Sequence, residues 1–203
     1  MPFDVERAIV RAERVATRAT LSLLVARLGP WATARVGARL ARLRLARFPF
    51  AALGPPVDER DRLSRRQAAP VVQLDRALAG LVSPEVSLEL VRAALVAGAV
   101  PFLDAMVPPL APERLAAEAG ELMARFFNAE GTAAPDGPAA FRFDVHRCRF
   151  VELLDAVGAS HLAPLFCESD LVFFDGVRRP VVLGRTRTLG TGGAGCDFRF
   201  TPK

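Results

Sequence analysis

Apolar residues recur at helical spacing through the first two-thirds of the chain, and the period changes to alternation near residue 140. Residues 4–28 carry one helical pattern, closed by Gly29-Pro30, and Trp31 to about Arg47 a second, closed by Pro49. In the second, Val36, Leu40 and Leu43 make an apolar stripe with Arg35, Arg39 and Arg42 beside it. Residues 71–81 and 84–98 also read as helices, the latter with Ser83 as N-cap and Pro84 at the first helical position. Pro112 and Glu113 open another, in which Leu115, Ala119, Leu122 and Phe126 form a stripe to be buried. The stretch "GPPVDERDRLSRRQAAP" (54–70) is turn-rich and charged and is expected to be a linker or exposed loop. "NAEGTAAPDGPAA" (128–140) reads as a loop from its Gly, Pro, Asn and Asp content.

Beyond residue 140, "AFRFDVHRC" places Phe141, Phe143 and Val145 on one face of a strand and Arg142, Asp144, His146 and Cys148 on the other. "RFVELLDAVGASHLAPLF" is helical, with a break at Gly158. "DLVFFDG" and "PVVLGRTRTLG" read as strands joined by a turn over 176–180, and "CDFRF" as the last strand. These elements predict an α+β fold, with a helical N-terminal two-thirds packed on a C-terminal, mostly antiparallel sheet of about four strands. Residues 1–66 read as an Arg-rich helical extension and 67–203 as the α+β domain.

Charge sharpens that division. Residues 1–66 hold fourteen arginines against six acids, a balance of +8, whereas the remainder is at −3. Eight arginines and no acid lie between Arg14 and Arg47. Such a segment suits a membrane surface or nucleic acid, but the favoured reading is a solvated helix face, or one paired with acids elsewhere in the chain or in a partner subunit. The three cysteines and a start charged from residue 4 point to a reducing, cytoplasmic setting. No uncharged apolar run reaches 18 residues, so no membrane span is expected.

The segment "GTGGAG" spells G-x-G-x-x-G through Gly190, Gly192 and Gly195. A dinucleotide turn must open a helix and be followed by an acid about 20 residues on. Only eight residues remain, and they alternate as a strand, so the nucleotide reading fails. No Lys-Ser or Lys-Thr pair completes a phosphate-binding loop, since Lys203 is the one lysine.

All three cysteines and both histidines follow residue 140. Cys148, Cys167 and Cys196 each fall at an element boundary and admit three readings. They are small buried hydrophobes, zinc thiolates completed by His146 or Asp170, or one of them is a nucleophile. No C-x-x-C pair supports the metal reading, and the metal content is left unassigned. If the strand is regular, His146 shares the face of Cys148. Asp170 lies three residues beyond Cys167, and Asp197 directly follows Cys196. Arg185, Arg187 and Arg199 are candidates to grip a substrate carboxylate if they face inward.

The blocks "FDVHRCRFVELLDAVGASHLAPLFCESD" and "RTRTLGTGGAGCDFRF" together resemble the L-2-amino-thiazoline-4-carboxylic acid hydrolase family. The resemblance runs over about 140–201. It rests on Cys148 after a strand, Cys167 with Asp170, and an ending of Arg185, Thr186, Thr188, Leu189, Gly192, Gly193, Cys196, Asp197, Phe198, Arg199 and Phe200. It implies opening of a cyclic amidine C–N bond in a 2-aminothiazoline ring, giving a carbamoyl-cysteine. Cys167 or Cys196 would be the nucleophile, Asp170, Asp197 or His146 the acid and base, and Arg185 or Arg199 the carboxylate anchor. Gly192 and Gly193 would bring backbone N–H groups to the ligand. The expected partner is a small-molecule substrate and no nucleic acid, with self-association an alternative, and no cofactor is required by the sequence. A non-catalytic binding or sensor domain of the same shape is the second reading, and a membrane-surface or partner-binding protein using residues 1–50 the third.

Overall fold

The computed structural model describes residues 4–108, 111–176 and 179–203. Helix α1 (Val5–Leu45) starts at Asp4, whose carboxylate accepts from the Arg7 N–H, and bends at Gly29, where φ is 78° ahead of Pro30. Its two arms correspond to the two helical patterns of the sequence. Helix α2 (Glu59–Leu78) overturns the expected linker: only the stretch before it lacks α-helix, apart from a short 3-10 turn at Ala51–Leu53. Its charges are helix-forming pairs rather than loop polarity. Arg65 meets Asp61 one turn away at 2.9 Å, while Arg62 and Arg66 reach Glu6 and Glu13 on α1. The division at 66/67 thus falls inside α2.

Helix α3 (Pro84–Met106) packs along α1 and against α2 and a later helix, α7 (Ala163–Asp175), and it runs through Pro101 instead of stopping at residue 98. It is the one described helix long and apolar enough to cross a membrane by composition, with a third of that window buried in the protein. Helices α4 (Pro112–Ala117) and α5 (Ala119–Arg125) follow, with Leu115, Ala119 and Leu122 buried as their spacing predicts.

The sheet is a four-stranded antiparallel one, order β1-β2-β4-β3, formed by β1 (Ala129–Pro135), β2 (Phe141–Cys148), β3 (Val181–Gly184) and β4 (Cys196–Pro202). Strand β1 replaces an expected loop. Its residues have little strand preference of their own, and pairing with β2 imposes the conformation. Conversely, the expected strand over 170–176 is the end of a helix, α7 (Ala163–Asp175). Leu165, Ser169 and Phe173 recur on its buried side at intervals of four, which the run Leu171–Phe174 conceals in the sequence. The turn expected over 176–180 lies partly outside the described residues. Helix α6 (Arg149–Ala156) links β2 to α7 through the break at Gly158.

The inner face of the sheet carries Phe141, Phe143, Val145, Leu183 and Phe200, buried against Phe173 and Phe174 of α7. Phe141 stacks on Phe200 at 4.6 Å and Phe174 meets Phe200 edge-on at 4.9 Å. A second cluster, with Leu24, Val36, Leu78, Leu90 and Leu162, joins the helices. Helix α7 contributes Leu165 to this cluster and Phe173 to the first, so it is clamped from both sides.

A bulge interrupts β2. Glu130 pairs with Arg147 but Gly131 with Val145, leaving His146 as the extra residue. The alternation therefore breaks: His146 is exposed, while Cys148 turns in and packs on the core. The expectation that the two share a face fails for that reason. Gly131 permits the bulge, because a Cβ there would lie 2.3 Å from the Asp144 carbonyl oxygen. Gly131→Ala is expected to destabilise the protein by about 3 kcal/mol in urea titrations, since the clash is with backbone that cannot swing away.

Candidate active site

Helix α7 places Cys167 and Asp170 one turn apart, so both project from one side of the helix. Cys167 lines a pocket of about 200 Å³ with Pro164, Glu168 and the loop residues Arg185, Thr186, Arg187, Thr188 and Thr191. Asp170 lines a smaller pocket of about 30 Å³, room for a water molecule. The other lining residues there are apolar, among them Met123, Phe143, Val145, Phe174, Leu183 and Phe198.

The loop between β3 and β4 builds the wall opposite Cys167. Asp197 holds it: its carboxylate accepts from the Thr186 N–H at 3.0 Å, the Thr186 hydroxyl at 2.6 Å and the Arg187 N–H at 2.9 Å. Burial pulls the Asp197 pKa upward, but these hydrogen bonds outweigh it and hold the group at about 2. The glycines let the loop lie flat on its neighbours. A Cβ at Gly190 would sit 2.8 Å from Cys167 Sγ and 3.0 Å from the Ala163 carbonyl oxygen. Gly192 takes φ of 85° to close a 3-10 turn. The N–H groups of Gly192 and Gly193 already donate to the Leu189 and Thr188 carbonyls. They are thus engaged in the turn, which removes them as donors to a ligand.

Arg185 follows β3 directly and donates from Nη1 to the Cys167 carbonyl at 2.8 Å. Its guanidinium carbon stands 5.8 Å from the centre of the Phe198 ring, on the boundary between the two pockets. Its remaining donors have no acceptor among the described residues. Arg199 lies elsewhere. Strand parity sends it to the outer face with Asp197, where it pairs with Asp144 at 3.1 Å. The structure therefore does not bring Arg199 or His146 to Cys167.

The cysteines differ in setting. Cys196 is buried at the start of β4, and its sulfur accepts from the Leu189 N–H at 3.3 Å. Cys148 is half-buried, with Asn128 Nδ2 at 4.0 Å from its sulfur. Desolvation pushes all three thiols above their ordinary value, Cys196 to about 11. At Cys167 the Thr188 hydroxyl, the Gly190 N–H and the Arg185 charge oppose that rise. Thr188, 4% exposed, lines this pocket; the sequence named it within the R-T-x-T motif but gave it no role.

Asp170 is the most perturbed carboxylate. Removal from water pushes its pKa up to about 7, and the Arg185 charge draws it only part of the way back. No described group donates a hydrogen bond to it. A carboxyl poised near neutrality beside a thiol and an arginine is a candidate for acid-base chemistry. Among the described residues, no group of three or more His, Cys, Asp and Glu is placed to hold a metal ion.

The family model described as L-2-amino-thiazoline-4-carboxylic acid hydrolase matches residues 84–200, more than half of the chain. The protein belongs to the L-2-amino-thiazoline-4-carboxylic acid hydrolase family. The hydrolase-family match opens at the first residue of α3 and closes within β4, so it contains Cys148, Cys167, Asp170, Arg185, Thr188 and Asp197. Helices α1 and α2 lie outside it. No curated protein and no solved structure matches the chain.

Proposed function

We propose that this hydrolase-family protein opens a cyclic amidine C–N bond in a small carboxylate-bearing substrate of the 2-aminothiazoline-4-carboxylate type. The observation that carries this reading is the α7 pair, Cys167 in the larger pocket with Arg185 and Asp170 in the smaller one, both under the Arg185 charge.

Such a substrate has an amidinium end and a carboxylate end. Arg185 binds the carboxylate through its unused donors. Ionised Asp170 attracts the amidinium, and the bound cation in turn favours ionisation of the neighbouring Cys167 thiol, offsetting desolvation. Asp170 takes the thiol proton, and the thiolate adds to ring C2. The C2–ring nitrogen bond then breaks, its electron pair going to nitrogen, which receives the proton from Asp170. Water attacks the resulting adduct and gives one proton to Asp170, which passes it to the freed amine. The C2–Cys167 sulfur bond then breaks, the sulfur taking the electron pair and the remaining hydroxyl proton, and the product carries a carbamoyl group on its own sulfur and a free amine.

The test is turnover of 2-aminothiazoline-4-carboxylate by the purified chain, followed by mass spectrometry of the ring-opened product. Arg185→Lys is expected to raise KM about 100-fold for this substrate, the loss of a forked charge-assisted contact. For the decarboxylated 2-aminothiazoline the KM should be the same in both proteins. Absence of turnover, or an equal KM effect on both compounds, removes the proposal.

A further inference from the structure

The second arm of α1 carries a feature the reaction does not use. Trp31, Arg35, Ala38, Arg42 and Leu45 recur at intervals of four, three, four and three, which makes one stripe on the side opposite buried Val36. All five are exposed, and Trp31 and Leu45 are each 86% exposed. A monomer gains nothing by holding its single tryptophan in water on a well-formed helix.

The charges point the same way. Arg27 is paired with Glu89 at 2.9 Å, and Arg39 is spent on the Ala77 and Ala79 carbonyls. On the stripe, the guanidinium groups of Arg35 and Arg42 have no acceptor among the described residues, nor do those of Arg44 and Arg47, which lie off it, and no acid occurs between Glu13 and Asp58. The stripe thus sets two unneutralised arginines, Arg35 and Arg42, between two large apolar side chains, Trp31 and Leu45.

We propose that this face of α1 docks on the surface of an anionic phospholipid bilayer. Tryptophan favours the headgroup level, guanidinium groups fork onto lipid phosphates, and a shallow apolar stripe inserts without crossing. A second copy of the chain fits less well, because a two-fold contact would set arginine against arginine. With only Trp31 and Leu45 as large anchors, attraction to the lipid charge supplies most of the binding, which makes it reversible and sensitive to salt.

The chain has one tryptophan and no tyrosine, so Trp31 reports its own environment. Full-length protein is mixed with vesicles of phosphatidylcholine alone or with phosphatidylserine, and emission and co-sedimentation are recorded. With phosphatidylserine, Trp31 emission should move to the blue and the protein should sediment. Arg35→Glu/Arg42→Glu should lower partitioning at least about 25-fold, some fivefold for each arginine removed. Leu45→Glu should weaken sedimentation too. These side chains are exposed, so melting curves of the variants should overlay the parent's. Failure to bind the anionic vesicles, equal binding to phosphatidylcholine alone, or retained binding by the double variant overturns the proposal. So does a blue shift that grows with protein concentration in the absence of lipid, which assigns the face to a second copy. Binding to duplex RNA but not to vesicles assigns it to nucleic acid and overturns it equally.

Discussion

Cys167→Ala is expected to reduce kcat for the ring-opening reaction by on the order of 10⁴-fold or more, with the fold intact. Of the three cysteines, Cys167 alone lines the larger pocket, and its surroundings include the hydroxyl, N–H and cation that favour a thiolate. Cys196 has its sulfur occupied by the Leu189 N–H and its pKa pushed to about 11. Cys148 sits behind the bulge against the core. Single alanine replacements of Cys148 and Cys196 should therefore leave kcat within about tenfold of the parent, acting through packing alone. Removing the half-buried Cys167 thiol should cost about 1 kcal/mol of stability, too little to unfold the chain. Steady-state kinetics beside thermal melts separates the two effects. An active Cys167→Ala protein, or a dead Cys196→Ala protein that melts normally, would move the chemistry away from α7.

The sequence spacing of Cys167 and Asp170 was legible, but its meaning depended on the element. Read as the approach to a strand, the pair has no shared direction; on a helix three residues bring both to one side. The apolar run Leu171–Phe174 misled because four consecutive apolar residues suit a strand or a doubly clamped helix equally. The same ambiguity in reverse concealed β1, a strand made by its partner. Charge misled at 54–70, where close-spaced Arg and Asp are helix pairs and reach across to α1. By contrast, the N-caps Asp4 and Ser83 and the alternation of β4 and most of β2 act locally, so α1 and α3 begin, and both strands lie, where the sequence predicts, although α3 runs on past residue 98. In β4 the alternation carries Phe200 into the core and sends Asp197 and Arg199 to the outer face, a direction for Arg199 that the sequence left open. What no local pattern could tell is the bulge at His146, because it arises from register between two strands.

Asp170→Asn is expected to lower kcat/KM by about 10²–10⁴-fold and, at the same time, to stabilise the protein above neutrality. The parent's rate should rise with pH through about 7, as Asp170 becomes the ionised base, and the asparagine variant should lose that limb. The stability effect follows from linkage. The carboxyl titrates at about 7 in the folded chain against an ordinary 3.8, because burial disfavours its charge. Below about pH 3 the group is protonated in both states and adds nothing against the variant. Between pH 4 and 7 the unfolded chain ionises first, so the native state loses stability as pH rises, and the penalty is complete above 7. By the shift alone it is on the order of 4 kcal/mol, and access of water to the small pocket reduces it toward about 2. The variant should therefore melt several degrees higher than the parent at pH 8 and equally at about pH 3. Asp197 supplies the opposite sign. Its pKa is held at about 2, so it stabilises the fold above pH 4 and loses that contribution as pH falls through 2. Asp197→Asn should accordingly weaken the fold at pH 8. A carboxylate whose removal abolishes turnover while strengthening the fold is one kept for chemistry, and an Asp170→Asn protein that melts lower than the parent at pH 8 would make Asp170 a structural residue instead.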